Sequence, residues 1–155
     1  MNLYLVQHGE AKPKEEDPER PLTGRGEADV RKGASYLAAH TDVTVSRILH
    51  SGKTRAKQTA EILAELLKPQ RGTEEASGLA PLDDPSIWAE KLRAETGDLM
   101  LVGHLPHLSR LASLLICGNA EIKVINFKNG GIVCLTRGEE GAWAIGWIIV
   151  PEIAR

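Results

Sequence analysis

The chain has 155 residues, 42% hydrophobic and 26% charged, with a net charge of -2 and a pI near 6.2. That length suits one domain spanning residues 1–155, able to bury about two-thirds of its unfolded surface, and the composition is that of an ordinary soluble globular protein. The slightly acidic balance argues against a nucleic-acid surface, which needs a basic excess, but leaves room for a local basic pocket.

Residues 3–6 (LYLV) are a short continuous apolar run, the pattern of a strand covered on both faces. The run is too short for a membrane span and has no basic stretch before it, so neither a signal peptide nor a membrane segment is expected, and a cytoplasmic location is the simplest reading. It ends on Gln7, His8 and Gly9. Residues 11–21 (AKPKEEDPERP) read as a charged, solvated loop. Thr23 suits an N-cap, with a helix to about residue 40 burying Val30, Ala34 and Leu37, and His40 at its negative dipole end. Residues 45–50 (VSRILH) read as a second strand. From Ser51, a further N-cap candidate, a helix runs to about residue 67 with Ala56, Ala60, Leu63 and Leu67 on one stripe. Residues 78–85 are a loop, 85–95 a short helix and 98–103 (DLMLVG) a third buried strand. Pro106 opens a helix at its N1 position, turning Leu108, Leu111, Ala112 and Leu115 inward.

The last segment alternates, placing Trp143, Ile145, Trp147 and Ile149 on one face, with a turn over residues 138–141. It reads as an antiparallel hairpin at a sheet edge. Cys117 and Cys134 lie in apolar context and read as buried free thiols. The whole reads as α/β: a three-layer sandwich with a mostly parallel central sheet, helices on both faces and a C-terminal antiparallel hairpin.

Each of the three apolar strands ends in a polar cluster: Gln7-His8-Gly9, His50-Ser51 with Arg55 close behind, and Gly103-His104. Open parallel sheets bind ligands beyond the carboxyl ends of their strands, so parallel neighbours would bring His8, Arg55 and His104 to one edge. Arg55 offers a planar fork for phosphate oxygens, and a helix beginning near Ser51 adds backbone N–H groups and a positive dipole end. A neutral imidazole facing that anion is a nucleophile for phosphorus, and a second can stabilise charge on the equatorial oxygens. The pattern points to phosphoryl transfer through a phosphohistidine.

Four stretches, LVQHGEA, RPLTGRG, HSGKTRAKQTAEIL and LVGHLPHLSRLA, resemble in order and spacing the motifs of the histidine phosphatase superfamily, in its compact SixA-type branch; FKNGGIVCL fits as well. The resemblance implies a phosphoglycerate mutase-like fold and a phosphatase of protein phosphohistidine. His8 would be the nucleophile, Arg55 and His104 catalytic partners, and Gln7, Gly9, Arg20 and Ser51 substrate contacts. No metal or organic cofactor is implied. The partner would be a phosphohistidine-bearing protein or a small phosphorylated substrate, without nucleic acid or membrane. Gln7 departs from the pattern, since family members carry arginine there. Losing one charge-assisted bond costs roughly 1.5–3 kcal/mol, or about 10- to 100-fold in rate, unless Arg20 or Lys53 compensates. Asp83, Asp84 and Glu10 are the candidates for a general acid, a weaker need when the leaving group is an imidazole that can depart with its ring already protonated.

Other readings stand beside this one. Gln7 keeps open a non-catalytic phosphate- or phosphohistidine-binding module, and the substrate could instead be a small phosphate ester. His104 and His107 form an H-x-x-H pair but lack further ligands at metal-binding spacing. His50 reads as packing first and as a residue bordering the pocket second, and Trp143 and Trp147 as core or sheet-face residues.

Overall fold

The computed structural model describes residues 1–154. β1 (Asn2–Gln7) alternates as a pleated strand must: Tyr4 and Val6 enter one apolar layer, Leu3 and Leu5 the other. It pairs in parallel with β4 (Leu99–Gly103), which pairs in parallel with β2 (Arg47–His50). On the far side β1 pairs antiparallel with β5 (Ile132–Arg137), and β5 with β6 (Trp143–Ile149). β3 (Thr73–Glu75) pairs in parallel with β2, and the order across the sheet is β3-β2-β4-β1-β5-β6. The sheet is thus mixed and mostly parallel, as expected.

α1 (Gly24–His40) and α2 (Thr54–Leu67) cover one face, where Val30, Ala34, Ala60 and Leu63 meet Tyr4, Val6 and Met100. α3 (Pro85–Ala94) and α4 (His107–Cys117) cover the other, where Trp88, Leu92, Leu108 and Leu111 meet Leu3, Leu5 and Leu101. Thr23 caps α1 as expected, its hydroxyl accepting from the Gly26 N–H at 2.9 Å.

Several elements depart from expectation for identifiable reasons. β3 is three residues, two of them exposed glutamates, so no apolar pattern marks it; pairing with β2 alone makes it a strand. Ser51 does not cap α2, which starts at Thr54 behind Lys53 with no side-chain cap. α4 starts at His107, which moves Pro106 from N1 to the N-cap position. Cys117, in the last turn of α4, is exposed, whereas Cys134 is buried; both are free.

The expected single face of β6 is split by a bulge. Cys134 pairs with Trp147 but Leu135 with Ile145, so Gly146 has no partner residue. One extra residue reverses every side chain beyond it. Trp147 packs on the α1–α2 face beside Tyr4, with ring centroids 5.8 Å apart, whereas Trp143 packs on the α3–α4 face. The loop at 11–21 is closed at its base: Ala11 bridges Leu22, and the Lys12 N–H donates to the Pro21 carbonyl at 2.8 Å. Among the described residues no helix is long and apolar enough to cross a membrane.

Candidate functional site

Sheet register brings the three strand ends level. Gln7 lies beside Gly103 and His50 beside Val102, and the His8 N–H donates to the Gly103 carbonyl at 3.1 Å. The His8 and His104 rings face each other with centroids 5.0 Å apart, tilted by 52°. The His8 Nδ1 lies 2.7 Å from the Gly9 carbonyl, which can only accept, so Nδ1 carries the proton and Nε2 presents its lone pair. Burial, with Arg55 and Arg20 nearby, lowers the His8 pKa to about 4 even though the Gly9 bond pulls the other way. The His104 pKa falls to about 3 through burial, then through the charges of His8, Arg55, Lys53 and His107. Both rings are therefore neutral at pH 7.

Arg55 sits in the first turn of α2, and its Nε is buried without a partner. Its pKa is lowered by burial and by Arg20. Arg20 has φ of 49°, a left-handed backbone that costs a non-glycine residue of order 1 kcal/mol. It is held there by its own N–H to the Asp17 carbonyl at 3.0 Å and its Nε to the Lys12 carbonyl at 3.1 Å. Among the described residues neither Arg20 nor Arg55 has a carboxylate partner. Two unneutralised guanidiniums beside two neutral imidazoles and the start of a helix are what a tetrahedral oxyanion needs.

Ser51 reaches the cluster through His104, its Oγ 2.6 Å from Nε2. Gly9 contributes shape rather than a donor, because its N–H is already given to the Thr59 hydroxyl at 3.0 Å. A methyl group on Gly9 would stand 2.8 Å from Val30 Cγ2 and 2.9 Å from the Gly26 carbonyl oxygen. Gln7 is turned to another partner, its Nε2 donating to Asn129 Oδ1 at 2.7 Å.

The three candidate carboxylates are each held by a local hydrogen bond. Asp84 caps α3 by accepting from the Ser86 N–H at 2.9 Å, and that bond holds its carboxyl below the ordinary value, the wrong direction for a proton donor. Asp83 accepts from the Ala80 N–H, and Glu10 from the Thr23 hydroxyl, each at 2.9 Å. The charged side chains that lower the His8 pKa are Arg55 and Arg20, and Arg55 and Lys53 act in the same direction on His104. His107 points into the interior, fully buried, and no set of three His, Cys, Asp or Glu among the described residues could hold a metal.

Two further residues, Thr59 and Asn129, join the cluster with little signal in the sequence. Thr59 is fully buried, and its hydroxyl links the Gly9 N–H to the Arg55 carbonyl at 2.8 Å, tying the His8 segment to α2. A polar residue inside the stripe of Ala56, Ala60 and Leu63 was the available signal. Asn129, 122 positions from Gln7, had none beyond its place in FKNGG. Thr59→Val keeps the volume and strands the Gly9 N–H, which should cost about 1–3 kcal/mol. A lowered urea midpoint at unchanged slope is expected, and an unmoved midpoint would deny Thr59 this part.

The fold is an α/β scaffold whose parallel strand ends bring His8 and His104 together, with Arg55 following in the first turn of α2. The chain belongs to the histidine phosphatase superfamily, in its SixA-type branch: the profile of the Histidine phosphatase superfamily (branch 1) matches residues 3–79. An uncharacterised protein of Picosynechococcus sp. is 36% identical over 146 residues, covering 89% of this chain and 86% of that protein. Phosphohistidine phosphatase SixA of Escherichia coli (strain K12) is 28% identical over 156 residues, covering 97% of this chain and 94% of that protein. The structure of the protein histidine phosphatase SixA complexed with tungstate superposes with a TM-score of 0.87 at 27% identity, with 100% of both chains covered.

Proposed function

We propose that the chain hydrolyses protein phosphohistidine in two steps through a phosphorylated His8. The observation that carries this reading is the His8 ring itself, its proton fixed on Nδ1 by Gly9 and its Nε2 lone pair left to face the phosphoryl group, with Arg55 and Arg20 acting on the ring. The Nε2 lone pair forms a bond to phosphorus as the P–N bond to the substrate imidazole breaks, and the departing ring leaves neutral if already protonated. Water then attacks phosphorus, the His8 P–N bond breaks, and inorganic phosphate leaves with Nε2 restored. Arg55 and Arg20 would bind the phosphoryl oxygens, and neutral His104 would donate to them as charge builds. The local hydrogen bonds that already occupy Asp83, Asp84 and Glu10 favour this substrate over alkyl phosphates, whose leaving oxygen needs a proton. The similarity to SixA of Escherichia coli supports the same choice.

Gln7 sets the level of activity in this reading. Bonded to Asn129, it brings no charge to the phosphoryl group. Gln7→Arg is expected to raise kcat/KM by about 10- to 100-fold, the value of one charge-assisted bond. An unchanged rate would show that Arg20 or Lys53 already fills the role. A rise from no measurable turnover would instead favour the binding module.

A further inference from the structure

We propose that His50 is a positioning residue of the oxyanion site: its unprotonated Nδ1 holds the turn that carries Ser51 and the start of α2 into place. The inference rests on reading the His8–Arg55–His104 cluster as an oxyanion site. Between the end of β2 at His50 and the start of α2 at Thr54 the chain must reverse within three residues. It does so with Gly52 at φ of 88°, a conformation that strains any residue with a side chain.

A turn this tight is usually pinned by a capping side chain, yet the N-cap of α2, Lys53, makes no such bond. Two side chains just ahead of it do the pinning. The Gly52 N–H donates to His50 Nδ1 at 3.0 Å, and the Lys53 N–H donates to Ser51 Oγ at 3.3 Å. The second contact is long, which leaves the first as the better hold. What it holds matters, because Ser51 Oγ is 2.6 Å from His104 Nε2 and Arg55 follows in the first turn of the helix.

The bond constrains the ring. Nδ1 can accept only while unprotonated, so the proton of a neutral His50 sits on Nε2. The ring is only 5% exposed. The charged groups acting on it are Glu75 from β3, and Lys57 and Glu61 from α2. Burial outweighs the two carboxylates and keeps the pKa below the ordinary 6.5. A second proton would set N–H against N–H, and the turn would lose its hold. His50 therefore keeps the site assembled at neutral pH and releases it in acid.

Sulfate is a suitable probe, since it stays a tetrahedral dianion across the range and needs no turnover. Its affinity is measured for the wild type, His50→Asn and His50→Leu by calorimetry as the pH is lowered from 7.5, with the Gly52 amide resonance followed by NMR. Asparagine can accept from the N–H two residues on, as in an Asx turn, and does not titrate. At pH 7.5 His50→Asn should bind like the wild type and His50→Leu about tenfold more weakly, the worth of one hydrogen bond. As the His50 ring titrates, the wild type should fall toward His50→Leu and its Gly52 amide should shift, with neither change in His50→Asn. Protonation of His8 or His104 would strengthen sulfate binding, the opposite sign. Parallel behaviour of the wild type and His50→Asn, or a Gly52 amide that ignores the His50 titration, would overturn the proposal. So would a His50 ring that never titrates in the folded protein. If His50→Leu does not fold, the comparison with His50→Asn still decides. Absence of sulfate binding by the folded wild type would sink the oxyanion reading instead, while the Gly52 amide would still judge His50.

Discussion

His8→Ala should lower phosphohistidine hydrolysis by roughly 10⁴-fold or more, the scale seen when a covalent nucleophile is deleted. The loss should fall on kcat rather than on substrate affinity, since Arg20, Arg55 and the start of α2 remain to hold the phosphoryl group. A matching signature lies in the pH profile. An ordinary histidine nucleophile loses half its neutral form at pH 6.5, but burial and the flanking guanidiniums bring His8 down to about 4. Lowering the pKa extends the reactive form toward acid, so the fraction of neutral His8 should hold from pH 7 to about 5 and fall only near 4. Stability has the same sign. Unfolded His8 takes up its proton as the pH drops through 6.5 while folded His8 does not, so stability declines from there down to about 4. The kinetic comparison is made on a phosphohistidine substrate, and equal turnover by His8→Ala and the wild type would remove the nucleophile.

Arg55→Ala should cost about 10²- to 10³-fold in kcat/KM, the usual effect of deleting one preorganised group that stabilises transition-state charge. The expectation is large because, among the described residues, Arg55 has no carboxylate partner and its Nε has no hydrogen-bond partner. Arg55→Lys should recover only part of the loss, because an ammonium cannot present two parallel donors to one phosphoryl group. Removal of Arg55 should also raise the pKa of both His8 and His104, since its charge helps depress each. The acid limb of the rate should then move upward. Full activity in Arg55→Lys would mean that charge alone, without the fork, serves the site.

Much of this site was legible because its parts sit where strand patterns break. The apolar runs ending at His8, His50 and His104 announced three strand ends, and parallel pairing through β4 made them neighbours. What stayed hidden depends on partners distant in the chain. β3 is a strand only because β2 lies beside it, and the bulge at Gly146 shows only when β6 is laid against β5. The same holds for Gln7, whose residue type was plain but whose amide is taken up by a residue 122 positions away. Ser51 looked like a helix cap by position, yet its hydroxyl is spent on His104 and Lys53. Asp83 and Asp84 were carboxylates near a loop, and only the backbone N–H groups of Ala80 and Ser86 show what occupies them.

The most direct test of the account is to mix the protein with a phosphoramidate donor, quench in alkali, and locate the phosphoryl group by mass spectrometry and ³¹P NMR. One acid-labile phosphoryl group on Nε2 of His8, absent from His8→Ala, is the predicted result. Turnover that leaves no phosphorylated His8, or a phosphoryl group lodged on His104 or another residue, would contradict it.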